Sequence, residues 1–391
     1  MYIKITKDIV DAAISGDQRA IHLLEDMEFA YRHGKHFFLG DRDTLSLIGK
    51  HFGKTFIALS NILNHISELG PIAARLTWRV EFSLNDDVSR VDSIDNVQVI
   101  RVSKNDINLF QVFLECHLLA ENLDDIEMYS YILNYYKREH GSSKLHNVYY
   151  PILGGGSTTA MVLKHEMDMR QSLVFCIVDS DKIHSGASLK ETAKKVEEEY
   201  NKNPYKSLSI LYKLCSVMEV ENLIPFHVLE SYGVINKNKD YNDHLAVIKK
   251  IKAVNESYLD FFDFKKGISD ASLIDESPDN KNSEIIASVC EDLVQNIEPN
   301  RTRYKKILEI LSALELAYSP QQKEKAAGKC MNSDTYISGL GKDILHNALE
   351  YCKGQMKQIS KEQLSKTQSA IYEELGMLMF NWTIASNIMM I

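Results

Sequence analysis

Three apolar runs in the middle of this chain each end on acidic residues, and that arrangement restricts its fold more than any other feature. Leu118-Leu119-Ala120 leads into Glu121-Asn122-Leu123-Asp124-Asp125. Leu173-Val174-Phe175-Cys176-Ile177-Val178 leads into Asp179-Ser180-Asp181, and a third apolar stretch leads into Glu219-Val220-Glu221-Asn222. A continuous apolar run bounded by polar residues reads as a strand buried on both faces, the kind found in a parallel sheet covered by helices. Carboxylates at the tips of such strands are costly to desolvate unless something compensates them, and a hard divalent cation does so well.

The surrounding pattern agrees. From about residue 105 the sequence alternates strand and helix signals. A strand near 117–120 precedes a helix over 124–138, whose Ile126, Tyr129, Ile132, Leu133 and Tyr136 recur at helical spacing. A strand over 147–153 meets Gly154-Gly155-Gly156-Ser157, then come a helix over 158–169, the strand 173–178, a helix over 188–201 and a strand near 207–214. This predicts an α/β fold with a mostly parallel sheet and flanking helices, in which ligands collect at the carboxyl ends of the strands. All three acidic groups fall at such ends.

Upstream, residues 8–33 read as helical with a break at Ser15-Gly16-Asp17, and 43–69 as a helix ended by Gly70-Pro71. Alternation over Leu76–Leu84 marks a strand, Asn85–Asn96 a polar loop, and Val97–Val102 a partner strand. Residues 1–104 therefore form an expected N-terminal α+β module, and 105–265 the central sheet domain, with helical spacing over 241–263. Gly267–Asn282 reads as a linker or mobile loop, and 283–391 as a helical C-terminal domain with helices near 283–297, 301–317, 334–357 and 361–388.

A length of 391 residues allows two or three domains, and 45% apolar with 25% charged residues is an ordinary globular balance. The formal net charge of -9 provides no global basic field and argues against a passive nucleic-acid-coating protein. The six cysteines include no C-x-x-C pair, so reduced thiols in a cytoplasmic protein are expected rather than zinc or disulfides. Met1–Asp8 lacks the apolar core of a secretory signal. Gly376–Ile391 is too short, and too interrupted by Asn381 and Asn387, to span a bilayer, so it reads as a buried last helix or a homo-oligomer surface. There is no H-E-x-x-H, no G-x-S-x-G and no Walker loop.

The chemistry follows from these positions. By the strand period of two, Asp179 and Asp181 project to one side and can share a metal ion. Glu121 ends its strand, and Asp125 sits in the first turn of the next helix, where a carboxylate is also favoured simply as a cap. Glu219 or Glu221 can support a second ion. Magnesium, or manganese in its place, is the expected metal, because it takes few carboxylates, keeps waters and stabilises both oxygens of a phosphodiester displacement. Lys182 can neutralise a phosphate or serve as an ordinary solvated lysine. Gly154, Gly155, Gly156 and Ser157 can bring backbone close to an anion at a helix N-terminus, or form a tight turn without a ligand.

The order E-x-x-x-D, Gly-rich turn, D-x-D resembles the TOPRIM fold of topoisomerases, primases and certain nucleases. Over about residues 110–230 the match is to TOPRIM nucleases of the overcoming-lysogenization-defect type and related anti-phage effector subunits. Leu119–Tyr129 resembles their strand-E-G-x-x-D-helix segment, with Asn122 in place of the usual glycine, and Val178–Asp181 resembles their D-x-D. Glu219–Pro225 resembles the third acidic motif, in which a Glu-Asn pair opens a helix, favouring Glu221 over Glu219. Phe262-Asp263-Phe264-Lys265-Lys266-Gly267 echoes a later lysine–glycine element. The resemblance implies a magnesium-dependent nuclease acting on DNA or RNA in phage defence, with metal at Glu121, Asp125, Asp179, Asp181 and Glu221. Since no ATPase is visible in this chain, it also implies either a partner ATPase or sensor, or regulation by the N- and C-terminal modules. The alternative is a regulatory protein whose TOPRIM-like core binds nucleotide or nucleic acid without cutting.

Overall fold

The computed structural model describes residues 1–269, 279, 281–282, 285, 335–352 and 359–386. Its elements in order begin β1 (Tyr2–Ile5), α1 (Lys7–Ile14), α2 (Gln18–Arg32), β2 (Phe37–Gly40), α3 (Arg42–Phe52), α4 (Ile57–Asn61) and α5 (Ile66–Ala73). Next come β3 (Trp78–Phe82), β4 (Arg90–Ile94), β5 (Val97–Val102), α6 (Lys104–Ile107), β6 (Cys116–Ala120), α7 (Leu123–Glu139), β7 (His146–Asn147) and β8 (Tyr149–Leu153). They continue with α8 (Thr159–Met169), β9 (Val174–Asp179), α9 (Glu191–Lys202), β10 (Ser209–Leu214), α10 (Phe226–Asn236) and α11 (Lys239–Val254). The last are β11 (Gly267–Ser269), β12 (Thr335–Ser338), α12 (Ile344–Cys352), α13 (Lys366–Thr383) and β13 (Ile384–Ala385).

Two compact units emerge, each assembled from separated segments rather than from contiguous blocks. The first comprises Met1–Val178, Glu191–Lys213 and Tyr372–Ile391; the second comprises Asp179–Lys190 and Leu214–Ile371.

The first unit holds two sheets. One has the order β2-β1-β3-β5-β4. Its pairs β1/β2, β1/β3 and β3/β5 are parallel, and only β4 runs antiparallel. The N-terminal region is therefore α/β in character rather than α+β. The two strands that make the difference, β1 and β2, are four residues each and almost wholly buried, so they carry no alternation for a period-two reading to find. β4 lies inside the expected polar loop at the sheet edge, with Arg90 and Ser93 exposed and Asp92 accepting from Arg101 Nε at 2.6 Å. The helix expected over 43–69 is broken into three pieces, and Pro71 sits within α5 instead of ending its predecessor. The break at 15–17 is as expected: the Asp17 side chain accepts from the N–H groups of Arg19 and Ala20 and starts α2.

The second sheet has the order β10-β9-β6-β8, with all four strands parallel and helices alternating along the chain. This is the predicted architecture. Leu119 lies opposite Ile152 on one side and Cys176 on the other. Five consecutive residues of β9, Val174–Val178, are buried. The apolar C-terminal segment is a buried helix as far as Thr383: Leu375, Met379 and Trp382 are inaccessible, and Trp382 packs edge-on against Trp78. Residues 387–391 lie outside the described residues. Asn381 is tolerated there because its Oδ1 accepts the Thr77 N–H at 2.7 Å and its Nδ2 donates to the Met377 carbonyl at 2.7 Å. No helix among the described residues is long and apolar enough to cross a membrane.

His36 is a buried histidine beside these strands. Burial, reinforced by the Met1 ammonium, pushes its pKa well below the ordinary range, and the carbonyls of Leu114 and Val112 oppose this only in part. A depressed folded pKa means that the unfolded chain binds the proton first. Stability should then fall as pH drops below about 6.5, by up to about 1.4 kcal/mol per pH unit. His36→Phe should remove that component. Thermal unfolding at about pH 7.5 and about pH 5 checks it: the parent should lose more on acidification than the variant.

The second unit carries α10, α11, the antiparallel pair β11/β12 and α12. The helix expected over 241–263 stops at Val254 and continues as a 3₁₀ turn over Glu256–Phe261. β11 occupies the start of the expected linker, and β12 lies within the helix expected over 334–357. The helices expected at 283–297 and 301–317 lie outside the described residues, apart from Ile285.

Candidate functional site

Glu121, Asp125 and the glycine turn belong to the first unit, whereas Asp179, Asp181, Lys182 and Glu221 belong to the second.

In the first unit, β6 delivers Glu121 immediately before α7. Asn122 caps that helix: its Oδ1 accepts the Asp125 N–H at 3.0 Å, and Asp125 Oδ2 accepts the Asn122 N–H at 3.1 Å. This reciprocal capping box accounts for an Asp125 that is only 3% exposed. It also explains the Asn that stands in the glycine position of the resembled motif. Asn122 has φ -145° and ψ 178°, extended backbone open to any residue, and its side chain supplies the cap. Asn122→Ala should cost about 1 kcal/mol of stability and Asn122→Gly only a few tenths, measured by urea unfolding.

The turn after β8 is tied to the same strand end. Gly154 N–H donates to the Ala120 carbonyl at 2.7 Å and Gly155 N–H to the Glu121 carbonyl at 2.9 Å. Those two donors are thus engaged by β6 and its extension, leaving neither for the phosphate cradle expected of this loop. Gly155 and Gly156 have φ of +71° and +63°, the left-handed region that favours glycine. A Cβ on Gly156 would stand 3.7 Å from Glu121 Oε2, so the carboxylate lies over the glycine's open face. Ser157 sits in the 3₁₀ turn Gly156–Thr158 that leads into α8. The charge of Glu121 is felt at Cys176, whose thiol is pushed up by burial first and by Glu121 second. His117, at the other end of β6, instead pairs with Glu166 at 2.7 Å.

In the second unit, the extended backbone of β9 ends at Asp179. Ser180 Oγ donates to the Val217 carbonyl at 2.8 Å. Asp181 adopts φ +50°, and its N–H donates to the Met218 carbonyl at 2.9 Å. The period-two argument for a D-x-D pair therefore fails, because the strand has already turned into a left-handed residue at Asp181. Lys182 Nζ donates to the Ser185 carbonyl at 3.2 Å and ties its own loop.

Glu219 and Glu221 flank the start of a 3₁₀ turn over Val220–Leu223 and are 6% and 5% exposed. Both face Lys265, whose Nζ is 2.7 Å from Glu219 Oε2 and 3.4 Å from Glu221 Oε1. Burial by itself would lower the Lys265 pKa; Glu221, Glu219 and Asp179 outweigh it and hold the ammonium above its ordinary range. Sequence reasoning favoured Glu221 alone, but the two glutamates act on one cation and Glu219 makes the shorter contact.

Local structure fixes Lys265 in place. Asp263 Oδ1 accepts the N–H groups of Lys265 at 2.9 Å and Lys266 at 2.7 Å, forming a side-chain-closed turn. Gly267 follows at φ +84°, against the Ile337 carbonyl, where no side chain fits. Asn222 clamps the glutamate turn to the segment before the lysine: its Nδ2 donates to the carbonyls of Leu259 at 2.7 Å and Phe262 at 2.9 Å, and its Oδ1 accepts the Glu219 N–H at 2.8 Å. The Lys265 position was foreshadowed only by the Lys-Lys-Gly run, which does not tell which lysine turns inward.

The donor set suits a hard cation in kind, since carboxylate oxygens are the ligands magnesium takes. Among the described residues, however, no group of three or more His, Cys, Asp or Glu is disposed to hold a metal ion by itself. In the second unit a protein ammonium already compensates the two glutamates. Waters and phosphate oxygens would have to complete any coordination. No family model, curated protein or solved structure matches this chain.

Proposed function

We propose that this protein is a magnesium- or manganese-dependent nuclease of TOPRIM type, hydrolysing phosphodiester bonds in DNA or RNA. The observation that carries the reading is the pair of buried glutamates, Glu219 and Glu221, gathered on Lys265 with Asp179 adding to the same field. Buried carboxylates are costly unless a cation compensates them, and Asp179 ends β9, at the carboxyl tip where ligands collect in a parallel sheet. Glu121, lying over the open face of Gly156, supports the reading from the first unit.

Asp179 and Glu221, with Glu219 beside them, would hold metal in the second unit, and Glu121 is the acid on which cleavage depends in the first. A bound magnesium ion would stabilise charge on the attacking and leaving oxygens and acidify a water. Lys265 keeps its Nζ proton throughout the neutral range and can donate it as a hydrogen bond to an anionic phosphate oxygen. Asp125 acts through the cap that orients α7 behind Glu121. The resemblance further points to a toxic effector of phage defence working with a partner ATPase or sensor. The test is magnesium-dependent cleavage by the purified chain with its genomic neighbours. Loss of cleavage after Glu121→Ala and after Asp179→Ala supports the reading, and undiminished cleavage after either removes it.

A second reading has its own support. The lack, among the described residues, of a self-sufficient metal group favours a protein that binds nucleotide or nucleic acid without cutting. It is distinguished by retained affinity with no hydrolysis in magnesium or manganese.

A further inference from the structure

The first unit contains a cavity of about 280 Å³ that shares no residue with the acidic site. One wall is a built polar device. Asp106 is 6% exposed, and its carboxylate accepts from Ser103 Oγ at 2.9 Å, from Ser89 Oγ and from Arg170 Nη1 at 2.7 Å. The Arg170 guanidinium lies over the Tyr205 ring, 4.2 Å from its centroid. Arg170 terminates α8 at φ +56°, a backbone region that bulky residues enter only when something holds them there. Among the described residues Asp106 is its only polar side-chain partner, and its Nε is buried without a hydrogen-bond partner. Nε is out of reach of the cavity, but Nη2 and the second Nη1 N–H make no hydrogen bond among the described residues, so the Nη1/Nη2 fork, backed by an aromatic ring, forms the donor edge of a concave wall.

We propose that this cavity binds a guanine nucleoside. The fork offers donors only, so it matches a ligand edge with two adjacent acceptors. Guanine presents O6 and N7 in that arrangement, whereas adenine presents an acceptor beside a donor. Tyr205 contributes the aromatic surface on which bases stack. Charge favours a neutral ligand: Arg170 is paired with Asp106, and Asp87, which lines the same space, is paired with Lys104 at 2.7 Å, so no net positive charge is left to hold a phosphate. The volume sits at the small end of ligand pockets and admits one nucleoside rather than a strand of nucleic acid.

The test is calorimetry and thermal unfolding of the full chain with guanosine, adenosine, cytidine and inorganic phosphate. Guanosine should bind and raise the melting temperature, adenosine and cytidine should bind about 10-fold more weakly or less, and phosphate should leave the melting temperature unchanged. Arg170→Lys keeps the charge beside Asp106 but loses the fork, and should weaken guanosine about 10-fold or more. Should that variant fail to fold, Ser207→Trp, which fills the cavity and leaves Arg170 and Asp106 in place, should abolish binding. Absence of guanosine binding, a phosphate shift equal to the guanosine shift, or undiminished guanosine binding by a folded variant would each overturn the proposal.

Discussion

Lys265→Met is expected to lower folding stability by about 3–5 kcal/mol, a large share of the roughly 5–15 kcal/mol typical of whole proteins. The reason is asymmetric. The ion pairs themselves contribute little net, because desolvating three charges offsets much of their attraction. Removing only the ammonium leaves Glu219 and Glu221 buried without the cation that both face, and that loss of compensating charge is not offset. Urea unfolding of the variant should show the loss, and adding Glu219→Gln and Glu221→Gln to it should recover most of it. A single variant as stable as the parent would show that the glutamates do not depend on this cation. The Lys265 contribution should also be flat across neutral pH. Its folded pKa is raised, so the contribution is fully present below the unfolded value of about 10.4 and is lost only as pH rises through the folded value. Millimolar magnesium offers a further discriminator: it should raise the melting temperature of Lys265→Met more than that of the parent if these carboxylates accept a divalent ion.

Asp179→Asn is expected to reduce cleavage on the order of 10³-fold or more, while Asp125→Ala leaves substantial activity and mainly lowers stability, by about 1 kcal/mol. The two aspartates looked alike as strand-end acids. Asp125 caps α7 through its hydrogen bond to the Asn122 N–H at 3.1 Å, whereas Asp179 adds its charge to the Lys265 site. The amide at 179 is nearly isosteric and preserves β9, so a loss of rate would report lost charge rather than lost fold. Single-turnover cleavage in magnesium, paired with melting temperatures for both variants, separates these outcomes. Equal rate losses at the two positions would show that Asp125 does more than cap α7.

What could be read from the chain and what could not differ for identifiable reasons. The central sheet was legible because β9 is an unbroken apolar run and β6 closes on one, Leu118–Ala120, each leading into an acid, a local signal that survives without knowledge of any partner strand. β1 and β2 were missed because a four-residue strand buried on both faces has the composition of any short apolar segment. The period-two argument for pairing Asp179 with Asp181 lost its premise because it assumed extended backbone up to Asp181, two residues beyond where β9 ends. The preference for Glu221 over Glu219 rested on local order, and a cation arriving from elsewhere in the chain made both matter.

By itself, then, the sequence determined the alternation of strand and helix and the placing of Glu121 and Asp179 at strand tips, because hydrophobic periodicity and turn chemistry act between near neighbours. It did not so place Glu219 and Glu221, which follow the end of β10 by five and seven residues. Only the tertiary structure decided which of the acids surround a lysine. That choice depends on where the chain returns after long excursions, and a return of that kind leaves no periodic trace in the residues that make it.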